Sequence, residues 1–130
     1  ERRLMSIIIS IAIGGGIGAV GRYLVMEGVN SWLGQDFPYS TLIVNVVGSF
    51  VIGLLFGALA VTWSPSAELR GFLIIGFLGS FTTFSAFSLD VITLIQQGEF
   101  LSALLYIIVS VVFSVLALFA GISIIRYLLA

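Results

Sequence analysis

Four long apolar segments constrain the fold of this chain more than any other feature. They are Leu4–Met26, Tyr39–Trp63, Leu69–Ile95 and Phe100–Leu128. Each exceeds the roughly 20 residues that a helix needs to cross the hydrocarbon core of a bilayer. Since 60% of the 130 residues are hydrophobic and only 8% are charged, a soluble domain of this size cannot bury the apolar surface. The sequence predicts an all-α membrane protein with a single four-helix transmembrane domain over residues 1–130, its helices at about 4–28, 39–63, 66–96 and 99–128.

The ends and connections of these segments indicate a topology. Ser64-Pro65 is typical of an N-cap followed by proline at the first helical position. An even number of spans places both termini on one side of the membrane. Four arginines lie on that side and only Arg22 lies on the other, which favours cytoplasmic termini. Arg2-Arg3 before an apolar run is also typical of a signal peptide, but the glycines within the run favour a first transmembrane helix.

The composition excludes several classes of function. The chain has no Cys and no His, so disulfides, thiol nucleophiles, the usual zinc sites and His-based catalysis are excluded. With no lysine and a net charge of −1, it is not expected to bind nucleic acid. An intramembrane hydrolase is poorly supported, because the chain has no His or Lys to activate a serine. We therefore expect no enzymatic activity.

Two of the segments carry polar residues at four-residue spacing, which places them on one helix face. The second segment has Thr41, Asn45, Ser49, Gly53 and Gly57, and the fourth has Ser102, Tyr106, Ser110 and Ser114. Single hydroxyls and glycines at such spacing are compatible with helix packing alone. The Asn45 amide has more hydrogen-bonding groups than a backbone carbonyl can satisfy, and an amide deep in a membrane segment indicates a polar partner or a wet cavity. In the first segment, Gly14 and Gly18 form a GxxxG pair, which predicts close helix contact.

The third segment is predicted to open near its midpoint, Thr82. Glycines and hydroxyls cluster there, in the stretch Gly76–Ser88, and they weaken a helix by propensity and by competing for backbone bonds. Irregular backbone at this depth is tolerated only inside protein or along a cavity, and broken helices are places where transporters bind ions. A kinked but continuous helix is the alternative. Phe84 and Phe87 follow on one face, and their ring edges carry partial positive charge that attracts an anion weakly.

Two charged residues lie a few positions inside their helix ends. Arg22 and Asp90 are both near the side opposite the termini. Two interpretations of Arg22 remain open: it pairs with Asp90, or it concentrates anions at a pore mouth.

Three motifs in order along the chain resemble those of the Fluc (CrcB) family of fluoride channels. They are GGGIGAVGRY at residues 14–23, NVVGS at 45–49 and GSFTTFSAFS at 79–88. The resemblance covers all four segments, although Ser80-Phe81, Ala86 and Asp90 depart from the common pattern. It implies an antiparallel, dual-topology homodimer in the bacterial inner membrane that passively exports fluoride from the cytoplasm through two pores, with a structural sodium ion at the dimer centre. The arginine distribution fits less well, because dual topology requires nearly balanced orientation signals.

The resemblance also assigns roles to residues. Asn45, Phe84 and Phe87 match the pore asparagine and the pore-lining aromatic pair, and Ser110 and Ser114 match a hydroxyl track. We place Thr41, Thr83 and Tyr106 on the same anion pathway, with Arg22 in the vestibule. Gly79 and Thr82 match the positions whose carbonyls hold sodium. The expected partners are fluoride, membrane lipid and a second copy of the chain.

Two other classes of membrane protein fit the sequence less well than a channel. A small multidrug exporter also has four helices and dual topology, but it needs a membrane-embedded acid in the first helix, and this chain has none there. A structural or anchor subunit accounts for the glycines. It does not account for a buried Asn45 together with the polar faces of the second and fourth segments.

Overall fold

Four helical spans make up the part of the chain that the computed structural model describes, residues 1–129. The first span is α1 (Arg2–Leu33) and the second is α2 (Tyr39–Val61). The third consists of α3 (Ala67–Arg70), a π-helix (Gly71–Leu78), α4 (Gly79–Phe81) and α5 (Phe84–Gln96), and the fourth is α6 (Phe100–Leu129). Residues 1–129 contain no strand. All four spans are long and apolar enough to cross a membrane, which confirms the prediction of an all-α, multi-pass membrane protein.

The helix ends differ in detail from the expected ones. The first helix continues beyond residue 28 and ends at Leu33. Gly34 follows with a φ of 79°, a conformation that glycine adopts readily and that ends the helix. The expectation that Ser64-Pro65 starts the third span is wrong. Ser66 is the N-cap, and its hydroxyl accepts a hydrogen bond from Leu69 N at 3.1 Å. Ser66, two residues after Ser64, has the extended backbone that this bond requires.

Glycines bring two pairs of helices into backbone contact. A Cβ on Gly14 or Gly18 of α1 would collide with the carbonyl of Phe72 or Phe77 in the third span. Between α2 and α6, a Cβ on Gly53 would collide with the Leu118 carbonyl. The GxxxG pair therefore serves close helix packing, as predicted, because only residues without a side chain allow such an approach.

Candidate functional site

The third span is interrupted by two residues with extended backbone. Thr82 has φ −86° and ψ 156°, and Thr83 has φ −151° and ψ 117°. Helix α4 ends just before them at Phe81, and α5 begins just after them at Phe84. The Thr83 hydroxyl caps α5 by accepting a hydrogen bond from Ala86 N at 3.1 Å. The hydroxyl-rich sequence thus supplies the cap that a new helix start requires.

Asn45 of α2 braces this interruption from the neighbouring helix. Its Nδ2 donates to Thr83 O at 3.0 Å, and its Oδ1 accepts from Thr83 N at 2.7 Å. One amide side chain thereby satisfies both backbone groups of a residue that has left the helix. Gly48 lies one turn further along α2, and a Cβ there would collide with the Thr82 side chain. The segment NVVGS is therefore complementary to the interruption in both hydrogen bonding and shape.

The bonds at the interruption free two backbone carbonyls. In a continuous helix, Thr83 N donates to Gly79 O and Ala86 N donates to Thr82 O, four residues back. Here Thr83 N donates to Asn45 and Ala86 N donates to the Thr83 hydroxyl. The carbonyls of Gly79 and Thr82 therefore do not receive the amide hydrogens that a continuous helix would supply.

Arg22 and Asp90 have separate partners. Arg22 Nε donates to Ser80 O at 3.0 Å, within α4. Asp90 Oδ2 accepts from the Tyr106 hydroxyl at 2.9 Å. The interpretation that Arg22 pairs with Asp90 is therefore wrong: each side chain is held by a nearer partner. Arg22 ties α1 to the turn just before Thr82.

A cavity of about 260 Å³ lies between α2, α6 and the interruption. The residues that line it are Asn45, Ser49, Ile52, Thr82, Thr83, Phe84, Phe87, Ser110, Val111 and Ser114. Among residues 1–129, those around this cavity include no acid and no base. Ser110 is 6% exposed, and its buried Oγ has no hydrogen-bond partner within the described chain. An unpartnered hydroxyl beside a cavity is a group prepared for a ligand or water.

An aromatic series leads away from the cavity. The Phe84 and Phe87 ring centroids are 5.5 Å apart, and those of Phe87 and Tyr106 are 5.1 Å apart. Phe84 is 78% exposed, whereas Tyr106 is fully buried. The series therefore runs from the surface of the chain to its interior, where Tyr106 reaches Asp90.

The structure brings most of the expected site residues together, but not all of them. Asn45, Thr83, Phe84, Phe87, Ser110 and Ser114 share the cavity with Thr82, one of the two expected sodium ligands. Thr41 and Tyr106 are buried but do not line it, and Gly79 and Arg22 also lie outside its wall. Ser49 was missing from the expected site, although its position four residues after Asn45 could have identified it. The brace from Asn45 to Thr83 was also missed, because sequence spacing within one helix does not report contacts between helices.

The chemistry of the cavity suits a small anion. Its donors are neutral hydroxyls and an amide, and its aromatic wall consists of Phe84 and Phe87. Asn45 Nδ2 carries two hydrogens, and the bond to Thr83 O engages one of them. Neutral donors bind an anion without the strong attraction of a lysine or arginine, so an ion can enter and leave.

Comparison with known proteins identifies the family. A family described as "CrcB-like protein, Camphor Resistance (CrcB)" matches residues 9–122. A protein of Rhodospirillum centenum named fluoride-specific ion channel FluC is 50% identical over 122 residues, which cover 94% of this chain and 97% of the relative. Its namesake from Nitrobacter winogradskyi is 52% identical over 119 residues, covering 92% and 94%. Another of the same name, from Geobacter sulfurreducens, is 47% identical over 124 residues, covering 95% and 100%.

These relatives are named as ion channels, a class of protein that is not enzymatic, and this confirms the prediction that the chain is not an enzyme. The match spans all four helical segments, including the Asn45 brace and the interruption at Thr82. The three motifs that suggested the resemblance lie within the matched residues, and the chain belongs to the CrcB family.

Proposed function

We propose that the protein is a fluoride-selective channel that exports fluoride passively across the bacterial inner membrane. The observation that carries this proposal is the cavity with neutral donors, in which the Ser110 hydroxyl lacks a partner and Asn45 retains a second amide hydrogen. The relatives named as fluoride-specific channels support the choice of ion.

The selectivity follows from the cost of removing water from a small anion. Fluoride holds its hydration shell strongly, so a pore must replace that shell with hydrogen-bond donors. In this chain the Asn45 amide, the hydroxyls of Ser110, Ser114 and Thr83, and the edges of Phe84 and Phe87 supply the replacement. Chloride is larger and has less to gain from closely spaced donors. Arg22, tied to Ser80, would contribute positive potential near the entrance rather than bind the ion.

A homodimer completes the pathway in this proposal. Phe84 borders the cavity and is 78% exposed, so a single chain leaves this wall open. A second copy in antiparallel orientation would cover that side and form two equivalent pores. Dual topology would place one copy in each orientation, and the arginines would bias but not prevent it.

The freed carbonyls of Gly79 and Thr82 support a structural sodium ion in the same assembly. Both carbonyls have lost their helical donors, and oxygen ligands without a carboxylate suit a singly charged hard cation. Two copies meeting at the interruption would supply four such oxygens. Neutral dipoles also cost less to bury than charged ligands at this depth. The ion would stabilise the dimer by binding only the assembled form.

Ion flux from liposomes that contain the purified chain tests the proposal. Fluoride should leave and chloride should be retained, and equal leak of the two ions would contradict the proposed selectivity. For the cation, purification in sodium is compared with purification in a large organic cation throughout. Loss of dimer stability and of flux in the organic cation is expected, and indifference to the exchange would rule out a structural sodium.

A further inference from the structure

A second cavity, of about 400 Å³, lies where the first and third spans begin. It shares no residue with the cavity at Asn45. Two arginines, Arg3 and Arg70, line it together with the apolar or small residues Ile7, Ile75, Ala67 and Gly71. It is therefore a separate site, at the ends of the first and third spans that lie nearest the membrane surface.

The cavity has arginines at one end and apolar side chains at the other. In α1, Ile7 follows Arg3 by one helical turn, and in the third span Ile75 lies beyond Arg70 in the π-helix. Each helix thus places a cation at the membrane surface and an apolar side chain further in. Gly71 is buried between them, and a Cβ there would come within 3.1 Å of Ile11 Cγ1. The missing side chain allows α1 and the π-helix to close the back of the cavity.

Neither arginine is engaged in a close ion pair within the described residues, although the Glu68 carboxylate lies near enough to Arg3 to offset part of its charge. The nearby Glu68 carboxylate accepts a hydrogen bond from the Ser6 hydroxyl at 2.8 Å. Among residues 1–129, neither Arg3 nor Arg70 forms an ion pair with a carboxylate. Both arginines are exposed at the rim. Two unpaired guanidinium groups above an apolar wall match a ligand with a negative head and a hydrocarbon tail.

We infer that this cavity binds the headgroup of an anionic phospholipid. The phosphate lies between Arg3 and Arg70, and the acyl chains run along Ile7 and Ile75. Basic pockets between membrane helices favour anionic lipids because each basic side chain near the surface contributes about 1 kcal/mol. Zwitterionic lipids gain less, since their own cation opposes the arginines. The site is independent of the fluoride pathway, so its test does not use flux.

Retention of lipids by the purified full-length chain, measured by native mass spectrometry, tests this inference. The chain is titrated in mild detergent with phosphatidylglycerol or phosphatidylcholine. We expect phosphatidylglycerol to be retained preferentially, and the double variant Arg3→Gln/Arg70→Gln to weaken this retention by about 30-fold, the factor that two such contributions convert to. The matched control Arg126→Gln removes a charge outside the cavity and should change retention less than twofold.

A second variant fills the cavity without altering its charge. Ala67→Phe keeps both arginines and should lower phosphatidylglycerol retention as strongly as the double variant. A further titration with inorganic phosphate distinguishes a lipid headgroup from a free anion. Phosphate should not displace the bound lipid at matched concentration. Equal retention of the two lipids, an equal loss in Arg126→Gln, unchanged retention in Ala67→Phe, or displacement by phosphate would each overturn the inference.

Discussion

Two contacts within this molecule use small and polar residues for opposite purposes. Where α1 meets the π-helix, Gly14 and Gly18 lie against the backbone carbonyls of Phe72 and Phe77. Where α2 meets the interruption and α6, Asn45 and Ser110 border an open cavity. The first contact removes all space, and the second keeps space and lines it with donors. Glycine allows backbones to approach, whereas amides and hydroxyls need partners and so maintain a polar environment.

The largest effect is expected at the contact between α1 and the π-helix. Gly18→Leu would drive its side chain into the Phe77 carbonyl, so we expect destabilisation of roughly 3 kcal/mol, at the upper end for overpacking. The recovery of monodisperse protein and its thermal midpoint measure this loss. The matched control is Gly16→Leu, because a Cβ on Gly16 meets nothing within 4 Å. Similar behaviour of the two variants would contradict the distinction between packed and unpacked glycines in α1.

The brace should be the next most sensitive element. Asn45→Ala removes both bonds to Thr83 and leaves a backbone donor and acceptor unsatisfied. We expect a loss of about 2 kcal/mol in thermal stability, since each unsatisfied buried group costs about 1–3 kcal/mol and water can relieve part of it. Ser49→Ala is the control, because it lines the same cavity one turn away without bonding Thr83. Equal stability of the two variants would show that the brace is dispensable.

The aromatic pair should affect conduction more than stability. Phe84→Ile and Phe87→Ile keep the wall apolar and remove the ring edges. We expect fluoride flux to fall by at least about tenfold, which corresponds to about 1.4 kcal/mol, while the protein remains folded. Flux from liposomes and size-exclusion profiles are the two measurements. The control is Phe113→Ile, a phenylalanine of α6 that is 55% exposed and outside the cavity. Normal flux in both Phe84→Ile and Phe87→Ile would assign these rings to packing alone.

The smallest effect is expected at the cap of α5. Thr83→Val removes the hydroxyl that accepts from Ala86 N and should cost about 1 kcal/mol, a typical value for an N-cap. Thr93→Val is the matched control, because the Thr93 hydroxyl donates only to Leu89 O within its own helix. A thermal midpoint that separates the two variants is the expected result. If Thr93→Val lowered the thermal midpoint more than Thr83→Val, the Thr83 hydroxyl would not contribute to stability as an N-cap.

Local chemistry in the sequence determined the four spans, the GxxxG contact and the residue types of the site. Apolar length decides whether a helix can cross a bilayer, and this quantity is read along one chain. The spacing of Asn45, Ser110 and Ser114 likewise placed each of them on a helix face, because helical periodicity is local.

Only the tertiary structure decided which of these groups meet. Asn45 and Thr83 are joined across 38 positions of sequence, and Arg22 reaches Ser80 across 58. Neither bond has a signature in spacing, and the local expectation for Arg22 and Asp90 named one wrong pair. Packing of α1, α2 and α6 around the third span selected these partners, because a buried polar group bonds to whatever the fold places beside it. The same packing diverted the Thr83 amide hydrogen to Asn45, away from the Gly79 carbonyl that would accept it in a continuous helix.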